Sequence, residues 1–255
     1  MTAFTGYRGA LIAETDALAE LLRAADPATP VPTCPGWSLA QIGTHVGRAQ
    51  RWAAAMIAAR ATEAMDTRAV PDGAMPKQPE AAARWLSEGA RIVIDAVDAT
   101  GPEVPVWVSF GAPCPAERWI RRLLHEAVVH RADALLALDR PVTVDPAVAA
   151  DGIDEWLELL AIGLSGRGVA ALPGAATMHL HAVDPGLGDR GEWMIRPSGS
   201  SIAFEHGHAK GTVAVRGSAT ALLLLLMRRV GSDDPAVEIH GDGAVLTHWL
   251  AETPF

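Results

Sequence analysis

Glu126 and His130 stand four residues apart in the run RRLLHEAVVHRADA, and on a helix that spacing stacks a carboxylate and an imidazole on one face, where they can share a cation. His45, far earlier in the chain, lies beside an apolar stripe of Ile42, Val46 and Ala49 and offers a second imidazole. Two histidines and one carboxylate are a frequent ligand set of zinc enzymes and non-haem iron sites, and it leaves positions open to water or substrate. The same spacing equally describes an ordinary helix pair beside a satisfied core histidine, so spacing alone leaves both readings open. His125 points about 100° away around the helix and is expected behind the ligands or on the surface. Asp133 falls on the side of His130, placed either to orient a ligand or to form a solvated ion pair with an arginine.

Helices must carry these side chains to one place. A periodic stretch over residues 5–25, a proline-rich turn over 27–37 and a second stretch from Ser38, with apolar residues at three- and four-residue spacing, read as a helical hairpin. Helices over 79–99 and 115–138 complete a four-helix bundle, and one more is expected over 145–164. Gly163, Gly166, Gly168 and Pro173-Gly174 then mark a turn or linker. Beyond it the period changes to two. Met178, Leu180 and Ala182 alternate with Thr177, His179 and His181, and short strands are expected at 192–196, 201–205, 212–216 and 237–240, with helices at 219–230 and 241–250. The expected class is α+β, with a bundle over 1–145, a helix and linker over 146–174, and a smaller α/β domain with a mainly antiparallel sheet over 175–255.

Other chemistry-bearing residues have plainer readings. Trp37, Trp52, Trp85, Trp107 and Trp119 are expected to pack the bundle rather than line a cleft. Phe110 and Cys114 fall in the loop before the fourth helix, and Ser198-Gly199-Ser200 reads as a turn between strands. Cys34, at a turn before Pro-Gly and with no evident neighbouring base, is expected to be structural. His179/His181 and His206/His208 share the spacing of a strand face; they are expected to be solvated, the alternative being a second metal site across a sheet.

The net charge of −9 supplies no basic excess to replace phosphate counterions, which argues against a nucleic-acid partner. The N-terminus has acids by position 14 and lacks a signal-peptide pattern, and the most apolar run, 221–227, is too short to span a bilayer. A cytoplasmic protein without a membrane partner is expected, as monomer or homodimer, and its two cysteines form no disulfide framework.

The segments PTCPGWSLAQIGTHVGRAQRW and HEAVVHRADA together resemble the mycothiol-dependent maleylpyruvate isomerase family, a branch of the DinB-like bundles. The matching elements are Cys34-Pro35-Gly36-Trp37, His45, and Glu126 to His130-Arg131 with Asp133. The resemblance implies that His45, Glu126 and His130 bind a divalent ion, usually zinc, and that an α/β domain follows the bundle. The stretch ATALLLLLMRRV looks like that second domain, in which an arginine after the leucines assists the active site; Arg228 and Arg229 are the candidates. The implied chemistry is activation of mycothiol as a thiolate that attacks a small electrophile, in an isomerase or a thiol S-transferase. Asp133 is then a further candidate for catalysis, or for binding the sugar part of the thiol, and an arginine suits a substrate carboxylate. The alternatives are a metal-dependent hydrolase or lyase using bound water, and a non-catalytic metal-binding or regulatory protein.

Overall fold

The computed structural model describes residues 6–108, 112–162, 171–199 and 201–253. Phe110, Ser200 and the glycines at 163, 166 and 168 lie outside the described residues. The chain divides into two compact units, Met1–Val142 and Thr143–Phe255.

The first unit is a bundle of α1 (Tyr7–Ala24), α2 (Leu39–Ala58), α3 (Pro79–Thr100) and α4 (Glu117–Ala137), with a two-residue ribbon of β1 (Pro105–Val106) and β2 (Cys114–Pro115) before the last helix. Each helix has a sequence-level reason to start where it does. Gln41 accepts a hydrogen bond from the Ser38 backbone N–H at 2.9 Å, closing one orphan donor of α2, and Pro79 opens α3 where no N–H is required. Buried Leu11, Thr15, Leu18 and Ala19 form the stripe by which α1 packs on α3 and α4. Helix α2 packs chiefly on α3, and closely: a methyl group added at Gly47 would fall 2.2 Å from the Trp85 ring. Two polar links set helix register inside this core. Arg131 of α4 pairs with Glu14 of α1, and Gln50 donates to the Thr15 hydroxyl at 3.0 Å.

In the second unit α5 (Pro146–Ala161) is capped by Asp145, whose carboxylate accepts from Ala147 N–H at 2.8 Å, and it packs on α6 (Ala219–Leu226) and on the sheet. The sheet contains β3 (Met178–Ala182), β4 (Glu192–Ser198), β5 (Ser201–His206), β6 (Val213–Gly217) and β7 (Val237–Gly241) in the order β5-β4-β3-β6-β7, and α7 (Gly243–Glu252) follows. Only the β3–β6 pairing is parallel, so the sheet is mainly antiparallel as expected. Met178, Leu180, Ile195, Val213 and Val215 face the core with the leucines of α6 and with Trp249.

Helix α6 stops short of the expected residue 230. Arg228 adopts φ 63, its N–H bonds Leu225 O at 3.0 Å, and Arg229 N–H bonds Leu224 O at 2.8 Å, which together make a Schellman stop. A side chain normally disfavours that conformation; here the Arg228 guanidinium donates to the carbonyls of Leu226, Leu250 and Thr253 and to the Thr253 hydroxyl, holding the chain end in place. No helix of the described residues is long and apolar enough to cross a membrane.

Candidate metal centre

The segment entering α2 is built to bring Cys34 and Trp37 to the bundle. Trp37 N–H bonds Cys34 O at 2.9 Å across Pro35-Gly36, and Gly36 has φ 82, the positive value that a type II turn demands at its third position. Val31 N–H bonds Trp37 O at 2.9 Å, closing the loop on itself. The Trp37 ring then meets His45 edge-on at 5.2 Å between centroids, and lies parallel to His130 at 6.4 Å.

Helices α2 and α4 bring the three expected ligands together. Glu126 Oε2 lies 3.5 Å from His45 Nε2 and 3.5 Å from His130 Nε2, and the two imidazoles stand at 78° to each other with centroids 4.9 Å apart. A tetrahedral zinc with bonds of about 2.0 to 2.1 Å separates its ligands by roughly 3.3 Å, so the two carboxylate–imidazole distances suit such an ion, and all three donor atoms lie within 4.8 Å of one another. The other carboxylate oxygen, Oε1, is taken by Arg122, one turn earlier on α4. Glu126 therefore presents one oxygen to both imidazoles.

Behind His130 stands a support built from the turn. Asp133 is fully buried and its Oδ2 lies 2.9 Å from His130 Nδ1, while Thr33 donates to Oδ1 at 2.6 Å and the Cys34 thiol to Oδ2 at 3.4 Å. A carboxylate on Nδ1 sets the tautomer that leaves the Nε2 lone pair for an ion. The thiol dismissed from sequence for want of a neighbouring base thus lies against this carboxylate and beside His130, in contact with one ligand's support. Sequence spacing contained no sign of this, because the partners are about a hundred residues apart.

The electrostatics of the group favour a charged carboxylate beside a charged imidazole. Burial pushes the Glu126 carboxyl up, yet the Arg122 charge and the hydrogen bonds of His130 and His45 outweigh it and hold its pKa well below the ordinary carboxylate value. Burial likewise opposes protonation of His130, but its bonds to Asp133, Cys34 and Glu126 prevail and raise its pKa well above the usual imidazole value. The buried Asp133 and half-buried Glu126 carboxylates are answered by a guanidinium and a proton on His130, a field that would equally suit a divalent cation in place of that proton.

His45 and Glu126 open on a cleft of about 600 Å³. Trp37, Trp52 and Trp119 wall it, correcting the expectation that these rings only pack; Trp85, 7% exposed beneath Arg51, does belong to the core. Arg48 and Arg122 supply guanidinium groups to the same space. Arg48 went unnoticed in the sequence although it sits three residues after His45 and four before Trp52, on one helical face. His125 is buried, 4% exposed, rather than on the surface. In the second unit Arg228 is engaged with four acceptors at the chain end, and Arg229 donates to Met227 O at 2.6 Å. Burial first, and then the like charge of Arg229, lower the Arg228 pKa to about 10, which leaves it cationic at neutral pH.

Residues 8–135 match the family described as the mycothiol maleylpyruvate isomerase N-terminal domain, and residues 147–248 match the MDMPI C-terminal domain, the abbreviation being that of the same isomerase. Among curated proteins none matches the chain. The crystal structure of the mycothiol-dependent maleylpyruvate isomerase is similar, with TM-score 0.61 and 15% identity over 94% of this chain and 95% of that one. A histidine-to-alanine mutant of that isomerase gives TM-score 0.60 and 14% identity over the same shares. At these identities the likeness establishes a common fold.

Proposed function

The chain belongs to the mycothiol maleylpyruvate isomerase family, and from that premise we propose that it is a metal- and mycothiol-dependent enzyme, an isomerase or a thiol S-transferase acting on a small electrophile. The observation that carries this reading is Glu126 Oε2 at 3.5 Å from both Nε2 atoms, with its second oxygen held by Arg122. A divalent ion, zinc foremost, held by His45, Glu126 and His130 would supply a Lewis-acid position that lowers the pKa of a thiol and keeps it as a nucleophilic thiolate.

The remaining parts of the task fall to the chain. Asp133 is a positioning residue: it holds His130 by Nδ1, and Thr33 and Cys34 hold Asp133. The tryptophan walls make much of the cleft lining apolar, a surface suited to the carbon skeleton of a small electrophile. Arg48 and Arg122 suit a carboxylate on the electrophile. Arg229 is the better candidate for an arginine contributed by the second unit, because Arg228 is spent on the chain end. Isomerisation and S-transfer both begin with sulfur attack on an electrophilic carbon, and they differ in whether the carbon–sulfur bond later breaks.

Metal analysis of the purified chain and of His45→Ala, with turnover measured on conjugated electrophiles with and without mycothiol, tests the proposal. The expected result is one equivalent of ion lost with His45 and turnover that requires the thiol. No ion lost with His45 overturns the metal site. Metal-dependent turnover without thiol points instead to a hydrolase or lyase, and a metal-loaded chain inert with every electrophile points to a binding protein.

A further inference from the structure

A second group of ligand-type side chains lies in the second unit, in a place that the proposed reaction does not use. Glu192 opens β4 directly opposite His181 of β3, so that the two share one face of the sheet. His179, two residues before His181, puts its Nε2 2.9 Å from Glu192 Oε2. His208, just past the end of β5, puts its Nδ1 2.6 Å from the same oxygen. The three donor atoms lie within 4.8 Å of one another. The His179 and His208 rings are 5.1 Å apart and perpendicular, and the His181 ring is 6.0 Å from each.

Hydrogen bonding alone accounts poorly for this arrangement. One carboxylate oxygen receives two imidazole nitrogens while a third imidazole stands beside it. His208 is mostly exposed, 72% by side chain, yet its ring turns inward to the carboxylate, whereas His179 is almost fully buried at the bottom of the group. The connection that carries His208 passes tightly over β3. A methyl group added at Gly211 would fall 2.6 Å from Val213 O and 2.9 Å from His179 N, so the chain is brought to this spot by its backbone as well as by one side chain.

We propose that His179, Glu192 and His208 form a second binding site for a divalent transition ion of the zinc class, with His181 the nearest group to complete its coordination. Imidazole and carboxylate donors select such an ion over calcium or magnesium, which take all-oxygen shells. The ligands come from β3, from the start of β4 and from the β5–β6 connection, and an ion there staples that connection onto the sheet. Its role is structural, and it is independent of the centre formed by His45, Glu126 and His130.

The test titrates Zn²⁺ into the full chain after dialysis against a chelator, following stoichiometry with a competing chromophoric chelator and thermal stability in parallel. His45→Ala serves as the background, and His208→Ala is added because removal of an exposed ring leaves the fold intact. The expected result is one equivalent retained in His45→Ala, bound at least about tenfold more weakly once His208→Ala is added, with the zinc-dependent rise in Tm lost as well. Glu192→Gln should act in the same direction. A His45→Ala chain that binds no zinc overturns this site while leaving the first centre standing. An equivalent whose affinity is unchanged by both His208→Ala and Glu192→Gln overturns it too.

Discussion

Asp133 shows at the scale of a single residue how the candidate centre is held. It is the most buried carboxylate of the group and accepts from two donors of the entering turn while holding His130 Nδ1. Replacing it by asparagine keeps the shape but turns an amide N–H₂ toward one of those donors and removes the charge that fixes the imidazole. Asp133→Asn is therefore expected to weaken zinc binding by about 10- to 100-fold, as loss of a ligand's carboxylate support generally does. A chelator competition titration reads the change, and unchanged affinity would show that His130 is oriented by something else. The pairing was only half legible in the sequence. Its three-residue spacing put Asp133 near His130, but Thr33 and Cys34 meet it through the tertiary fold.

The elements add precision that the ligands alone lack. The turn Cys34-Pro35-Gly36-Trp37 is the device that seats Trp37 against both histidines, and it depends on φ 82 at Gly36. Space around Gly36 is open, so a methyl group there meets nothing and the cost is conformational alone. Gly36→Ala is expected to lower stability by about 1 to 2 kcal/mol, and Gly36→Asn by less, because asparagine tolerates the left-handed region. Urea unfolding of the three chains checks the order. Gly47 fails differently. Its added methyl would strike the Trp85 ring, so there the loss comes from packing between α2 and α3. Helix existence and starts were legible along the chain: the expected starts at Ser38, residue 79, residue 145 and residue 219 all fall at or next to helix starts in the structure. The end of α6 was not, because its stop uses an arginine where glycine is usual and is secured by carbonyls from the far end of the chain.

At the scale of the whole molecule, the two arginines of the second unit carry the proposal that this unit takes part in catalysis. Arg228 and Arg229 are adjacent in sequence but differ in duty. Arg228→Ala removes the donors that tie the end of α6 to Leu250 and Thr253, and is expected to lower Tm measurably. Under the proposed function Arg229→Ala is expected to leave zinc stoichiometry near that of the parent while lowering kcat/KM by about tenfold or more, the scale of one lost charge-assisted contact to substrate. Steady-state kinetics beside thermal melts separate the two, and equal kinetic losses from both variants would count against the assignment.

Local order in the sequence carried a great deal: helical period in the first half, alternation in the second, the caps, and a carboxylate and imidazole on one face of α4. These follow from nearest-neighbour geometry, which a chain specifies over a few residues. Which face meets which was decided only by tertiary packing. The walls of Trp37, Trp52 and Trp119, the guanidinium of Arg48 and the thiol of Cys34 converge from segments far apart in the chain. The histidines of the sheet make the same point. Alternation paired His206 with His208, yet His206, the last paired residue of β5 opposite Trp193, turns its Nε2 to Asp154, while His208, two residues past that pairing, turns to the Glu192 carboxylate, because a side chain beyond the last pairing is aimed by the loop rather than by the pleat.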